Sequence, residues 1–242
     1  MILAIQPFQS DARRLDRDGP ILLHFRPQLN RAAAERPEGA REGTPMVGVS
    51  ETVLQALSRR LDDEDPAVRQ AAAESLERLD TYRLLDDLLA ALDSPDPALV
   101  VRTLHVLADL RHERALRGLI RVLGHPRPDL RGTAVRLLGL QRDPRAIGPL
   151  TEMLDDPNHD VRMLAIESLG VFENRRLTGV LLAQLQDASP EVRGKVAEIL
   201  ERLGDPSATS DLTALLEDPD PGVRRRAASA LGHLEVENTL SG

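Results

Sequence analysis

Leucines recur in pairs four residues apart, and the pairs themselves recur every 31 residues. Leu57, Leu88, Leu119, Leu150, Leu181 and Leu212 are followed by Leu61, Leu92, Leu123, Leu154, Leu185 and Leu216. An i, i+4 pair lies on one face of a helix, so each pair predicts a first amphipathic helix. A second pattern follows in every repeat and is numbered here from the column Arg69, Val100, Arg131, Arg162, Arg193 and Arg224. Position −1 holds Val68, Leu99, Leu130, Val161, Val192 and Val223, and position +7 holds Leu76, Leu107, Leu138, Leu169, Leu200 and Leu231. Between them, position +3 is small: Ala72, Thr103, Ala134, Ala165, Val196 and Ala227. These columns share the face of a second helix, and the small +3 residue lets neighbouring helices approach closely. All six copies align without insertion or deletion, which is the mark of a repeat architecture.

The break between the two helices has its own chemistry. Asp65-Pro66, Asp96-Pro97, Ser189-Pro190 and Asp220-Pro221 each put a side-chain acceptor before a proline, the N-cap and N1 of a new helix. The second helices are expected to end near Gly139, Gly170, Gly204 and Gly232, and Asp143-Pro144 and Asp205-Pro206 to start the next first helices. Each unit thus reads as helix, tight turn, helix, short loop. A hairpin of this length buries only one of its sides, so successive hairpins must stack. The predicted fold is all-α, a right-handed α-solenoid of six helical hairpins over residues 49–242.

Residues 1–48 do not fit the repeat. Met1–Ile5 and Ile21–Phe25 are apolar but too short for a signal peptide or a membrane span. Arg31 to Pro45 is rich in Arg, Ala, Glu, Gly and Pro, which reads as a linker. The expectation is a flexible extension, separable from the solenoid at Met46; the functional alternative is a docking arm using Phe8 and Phe25.

Composition narrows the chemistry. With three Phe, one Tyr and no Trp, the core has to be aliphatic, which favours helix over strand. The chain has no Cys, which excludes disulfides, thiolate metal sites and cysteine nucleophiles and fits a cytoplasmic protein. The formal net charge of −8 argues against general affinity for nucleic acid. No membrane association is expected.

The pattern Asp-x-x-Pro-x-Val-Arg-x-x-Ala-x-x-x-Leu-Gly-x-Leu, plainest in residues 153–172 and 216–234, resembles the short bacterial HEAT-like repeat named after phycobilisome (phycocyanobilin) lyase subunits. The resemblance covers about residues 49–236 and implies the solenoid fold. It also implies, as the alternative function, a phycobiliprotein chromophore lyase or isomerase-type subunit, or a chaperone. Repeat two departs from the pattern with Val100, and repeat three with Gly124 and His125.

The recurring arginine invites two readings: a column of guanidinium groups for phosphate or carboxylate, or a set of structural ion pairs. The second is preferred, because Asp63, Asp93, Asp156, Asp187 and Asp218 lie six or seven positions before the origin in every repeat except the third that has the arginine or its replacement. Pairing forward to the next repeat is expected: Arg69 with Asp93, Arg131 with Asp155 or Asp156, Arg162 with Asp187, and Arg193 with Asp218. Val100 would then face the acid-free turn at Gly124-His125, leaving the junction of repeats two and three as the place to flex.

Other chemistry is sparse. His105, Asp109 and His112 fall at i, i+4 and i+7 and would share a helix face if the helix ran that far. A di-iron deoxyhypusine hydroxylase built from similar repeats needs several His-Glu dipeptides; here there is only His112-Glu113. An alkylpurine DNA glycosylase of this fold needs a cationic channel with aromatic surfaces, which this composition lacks. No catalytic residue, cofactor or metal is expected. The remaining reading is a non-enzymatic scaffold or adaptor, monomeric or weakly dimeric through its terminal repeats, that binds a protein or peptide on a concave face made by the second helices. Positions +1, +2, +5 and +9 fall outside the core and give Arg102, His105, Asp109, Arg136, Met163, Leu164, Glu167, Lys195, Glu198, Arg202, Arg225, Arg226 and His233. Met163-Leu164 are apolar where water is expected, and Arg225-Arg226 extend Arg224 to three successive arginines.

Overall fold

The computed structural model describes residues 51–241. The readings made for residues 1–48, the linker and the docking arm included, lie outside the described residues. The described chain is helical throughout: α1 (Glu51–Arg59), α2 (Pro66–Ala91), α3 (Pro97–Leu110), α4 (Glu113–Val122), α5 (Pro128–Gln141), α6 (Ile147–Glu152), α7 (His159–Gly170), α8 (Thr178–Leu182), α9 (Pro190–Leu203), α10 (Thr209–Ala214) and α11 (Pro221–Ser241). The first helices of the last three repeats, α6, α8 and α10, are short and flanked on both sides by 3₁₀ turns. The architecture is an α-solenoid of stacked helical hairpins.

The core follows the columns. Leu88, Leu119, Leu150, Leu181 and Leu212 of the first helices are fully buried, as are Leu107, Leu138, Leu169 and Leu200 of the second. Two further columns, +4 and +6, are also buried between repeats, through Leu104, Val135 and Ile166 in one and Val106, Leu137 and Ile199 in the other. Leu61 and Val68 of the first described repeat, which stand in core columns, are exposed.

The caps form where proline and its preceding acceptor predict them. Asp65 Oδ1 accepts from Ala67 N at 2.7 Å, Asp96 Oδ1 from Ala98 N at 2.9 Å and Asp220 Oδ1 from Gly222 N at 2.8 Å. Where repeat four has His159 in place of proline, Asn158 caps instead. First helices three to six are capped at the 31-residue spacing by His112, Asp143, Asn174 and Asp205, each accepting from the backbone N–H two residues on.

Two boundaries differ from expectation. The second helix of repeat one does not stop: α2 runs for 26 residues and becomes the first helix of repeat two. Likewise α11 passes Gly232 and continues to Ser241. After each of the other second helices a left-handed residue falls at one fixed position, Arg111, Arg142, Glu173 and Gly204, with φ of 46, 53, 51 and 59°, directly at the helix end in three and after a turn beyond Gly170 in α7. At the two uninterrupted sites the residue after that position is Thr81 or Val236, where the others have the capping His112, Asp143, Asn174 or Asp205. Thr is a weaker cap than Asp or Asn and Val is none, so helix propagation wins.

Forward pairs tie the last four repeats together. Arg131 Nε lies 2.7 Å from Asp156 Oδ2 and its Nη2 2.8 Å from Oδ1. Arg162 repeats this on Asp187 at 2.7 and 2.8 Å, and Arg193 on Asp218 at 2.7 and 2.7 Å. The third edge of each guanidinium, Nη1, donates to its own turn, as from Arg162 to Asp156 O at 2.8 Å. Each aspartate in turn accepts a backbone N–H two residues on, from Asn158, Ser189 or Asp220. Bidentate, charge-assisted geometry of this kind fixes register as well as contributing energy. Burial pushes the Asp187 carboxyl up, but the hydrogen bonds from Arg162 and Ser189 and the nearby guanidinium of Arg193 outweigh it, so it sits below the usual carboxylate range. Asp156 is lowered against burial in the same way, and Asp218 is lowered chiefly by Arg193.

Arg69 does not reach Asp93. The rungs use only the acid six positions before the next origin, and that position in repeat two is Ser94; Asp93 lies one residue off and pairs with Arg121 at 3.3 Å. Arg69 Nη1 still donates to its own turn, at 2.7 Å to Asp63 O. The junction of repeats two and three lacks a rung, as expected, with Val100 fully buried there. It is tied elsewhere: Arg114 pairs with Asp86, Arg121 with Asp93, and Gln141 Nε2 donates to Ala108 O at 2.7 Å.

Candidate functional site

The second helices approach each other more closely than side chains at every position would allow. A Cβ added at Gly139 would lie 2.6 Å from Ser168 Cβ, and one at Gly132 2.9 Å from Leu164 Cδ1. Glycines of the first helices in repeats four and five, Gly148 and Gly179, have nothing within 4 Å of such a carbon. Gly118, in the first helix of repeat three, is closely packed as well, with a Cβ there 2.5 Å from Leu89 Cδ2. In repeats four and five, however, the first-helix glycines are open while Gly170 and Gly194 of the second helices are closely packed. Close approach there belongs to the second helices, whose outward positions are the predicted docking surface.

On that surface Arg102, His105, Asp109, Arg136, Glu167, Arg202, Arg225 and His233 are exposed, whereas Met163, Leu164, Lys195, Glu198 and Arg226 are half-buried. The half-buried ones have local work. Leu164 fills the notch at Gly132, and Arg226 lies over Gly194, with Nη1 2.8 Å from where a Cβ would stand. Lys195 Nζ pairs with Glu198 at 3.0 Å. Arg102 comes within 3.9 Å of Asp96, and His233 within 3.8 Å of Glu201. Arg136 and Arg225 keep their guanidinium groups without a partner among the described residues. The metal reading of His105, Asp109 and His112 meets a break: α3 stops at Leu110, Arg111 turns left-handed, and His112 caps α4 with its ring edge-on to Tyr82 at 6.3 Å. Among the described residues no three His, Asp or Glu side chains converge as metal ligands.

A shallow groove of about 320 Å³ opens between the N-terminal halves of α5 and α7. Gly132, Val161 and Leu164 give it an apolar floor, and Asp129, Asp160 and Arg136 give it a charged rim. Asp129 is engaged by both Nε and Nη2 of Arg127, at 3.1 and 2.8 Å, which holds its carboxyl below its ordinary value, and with Asp160 and Arg136 the rim carries charges of both signs. Beyond the groove, on the same helix as Arg136, Leu140 is 65% exposed. It occupies position +9, a column whose other residues read as polar or half-buried, and that column was the signal for it. A second depression of about 410 Å³ lies at the loop ends, where Arg111, Arg142 and Arg145 gather around His112 and Asp143. Arg142 there reaches Glu173 at 3.0 Å and Arg145 reaches Asp143 at 2.7 Å. Its signal was the 31-residue spacing of Arg111 and Arg142.

The family model described as HEAT repeats matches residues 46–108, 85–170 and 178–241. A comparison with curated proteins gives no match. Among solved structures the chain is similar to YibA of Escherichia coli (20% identity, 77% of this chain and 71% of that one, TM-score 0.48). It is also similar to a designed armadillo repeat protein in complex with the peptide (KR)4 (20%, 76% and 100%, 0.46). A third is the complex of CpcE and CpcF of phycocyanin lyase from Nostoc sp. PCC7120 (23%, 79% and 80%, 0.42).

Proposed function

Because the chain belongs to the family of HEAT repeats, we propose that it is a non-enzymatic adaptor, acting in the cytoplasm, whose second-helix face docks a protein or an extended peptide. The observation that supports this most is the groove between α5 and α7, with an apolar floor, a mixed-charge rim and the exposed Leu140 beside it. An apolar centre ringed by unpaired and paired charges is the anatomy of a protein-binding patch, in which a few anchors carry most of the energy. The matching occupant is a peptide with an apolar anchor for the floor, a basic residue for Asp129 and Asp160, and an acidic one for Arg136. A duplex is disfavoured by the net charge of −8.

A random peptide library selected against the full chain tests this. Selected peptides should carry that pattern and lose roughly tenfold or more in affinity to a chain with Leu140→Asp and Arg136→Glu. They should keep their affinity for a chain changed at Arg117→Glu, an exposed residue of α4. Equal binding to both variants would place the docking surface elsewhere. Covalent transfer of a bilin to a phycobiliprotein by the purified chain would overturn the non-enzymatic reading and support the lyase-type alternative.

A further inference from the structure

The arginine ladder leaves the array with two unlike ends. At the C-terminal end Arg224 donates through Nη1 to Asp218 O at 2.6 Å and Pro219 O at 3.0 Å, as the other ladder arginines do to their own turns. Its Nε and Nη2 edge, which in Arg131, Arg162 and Arg193 closes on an aspartate, has no partner among the described residues, and the side chain is exposed. At the N-terminal end Asp63 stands in the acid column of Asp156, Asp187 and Asp218, and among the described residues no arginine of the ladder column reaches it. It already holds the posture of those acids: Oδ1 accepts from Asp65 N at 3.2 Å, the equivalent of the bond from Asn158 N to Asp156 at 2.8 Å. Among the described residues its other oxygen meets only Arg60, at 3.1 Å, a side chain 65% exposed and easily displaced.

The packing surfaces match in the same register. Gly139 receives Ser168 from the following repeat, and Gly170 receives Ile199. Gly232 is the same position in the last repeat and has nothing within 4 Å of a Cβ, an empty notch. The residue that a following repeat would bring to it is, in repeat one, Ser75, the same type as Ser168. Two helical turns back, the exposed Arg225 would meet Ala71, small enough to leave it room. The exposed Leu61 and Val68 of repeat one add the apolar surface that every internal junction buries.

We propose that the last repeat of one molecule stacks on the first repeat of a second copy, continuing the solenoid head to tail, with Arg224 closing on Asp63 of that copy as a further rung. The contact is heterologous, so each added copy leaves another open end, and the products are lengthening oligomers and not closed dimers. This inference is independent of the docking face, because the surfaces it uses are the ends of the stack.

Sedimentation velocity on the full chain, from micromolar to near-millimolar concentration, should show mass rising with concentration past that of a dimer. Arg224→Asp and Asp63→Arg, each checked for native helix content by circular dichroism, should each weaken association roughly tenfold or more. An equimolar mixture of the two variants should associate again, since Arg224 of one meets Asp63 of the other and the two substituted ends also carry opposite charges. A monomeric native chain, a mass that stops at the dimer, single variants that associate like the native chain, or a mixture that stays monomeric would each overturn the proposal.

Discussion

Removing the Asp187 carboxylate should cost the stack about 3 kcal/mol, the lower end of what breaking a buried ion pair from one side costs. Its side chain is 7% exposed and that of Arg162 15%. Both oxygens are engaged, at 2.7 and 2.8 Å by Arg162, with Ser189 N a further donor at 2.7 Å. Asp187→Ala therefore strips two guanidinium N–H groups and one backbone N–H of their acceptor and leaves a cation in a site largely shut off from water. The residual exposure of the guanidinium keeps the cost at that lower end. Arg162→Ala is milder, about 2 kcal/mol, because Asp187 keeps the Ser189 N–H and the neighbouring charge of Arg193. The double variant leaves no orphan charge, so the two losses should fall short of additivity by about 2 kcal/mol. Val100, fully buried where the ladder has neither partner, shows that this chain accepts an apolar side chain at the same position. Urea unfolding followed by far-UV circular dichroism, fitted with a nearest-neighbour repeat model, measures the cycle. A coupling below about 0.5 kcal/mol would refute the idea that these rungs bind one repeat to the next.

Four further outcomes are expected. Asp156, Asp187 and Asp218 are all held below their ordinary values, so their contribution is fully present above the unfolded carboxylate value of about 4 and is lost as pH falls through the folded values. The urea midpoint should be flat above that pH and drop below it, and Asp187→Asn should flatten the drop. Thr103 buries its hydroxyl without a hydrogen-bond partner in a column where repeat five has Val196, so Thr103→Val should raise stability by about 1 kcal/mol, read as a higher urea midpoint. Arg111 is left-handed at φ 46°, and Arg111→Gly should gain about 0.5–1 kcal/mol once the greater freedom of the unfolded chain is subtracted, seen as a higher Tm. Gly139→Ala should cost about 1–3 kcal/mol, because Ser168 Cα lies only 3.0 Å from the new methyl, whereas Gly179→Ala, with open space around it, should be neutral or stabilising in the same melt.

The sequence made the stack legible because its signal is periodic and each column has one physical job. Core leucines, small +3 residues and capping acids repeat at a spacing that alignment alone recovers. The arginine ladder was legible for three rungs and misplaced at Arg69, because acids at six and seven positions before the origin look alike in one dimension. Only at six does the carboxylate face both the preceding arginine and the N–H two residues on, and Ser94 there ends the ladder. The continuity of α2 was hidden because Arg111, Arg142 and Glu173 turn left-handed without glycine; residue type at that position does not announce the break, and the cap that follows it does. On the docking face, Leu164 stood out as an apolar residue among polar ones, yet it half-buries itself in the Gly132 notch. Leu140, which stays 65% exposed, stands at +9 in the same column as Asp109, Arg202 and His233, and was legible there as an apolar residue in a polar column.

A helix of 26 residues is a strut roughly 39 Å long at 1.5 Å per residue. Because α2 belongs to two repeats at once, it makes them a single mechanical member, while every later repeat is joined to the next through a loop and a clasp of charged hydrogen bonds. Tension applied along the chain would then be shared unevenly. The looped repeats can give way one at a time, each releasing about 110 Å of extended chain for its 31 residues, whereas the strut cannot yield at its middle without breaking a continuous run of backbone hydrogen bonds. Repeats one and two would resist and surrender together, as a lever that turns whole and does not bend.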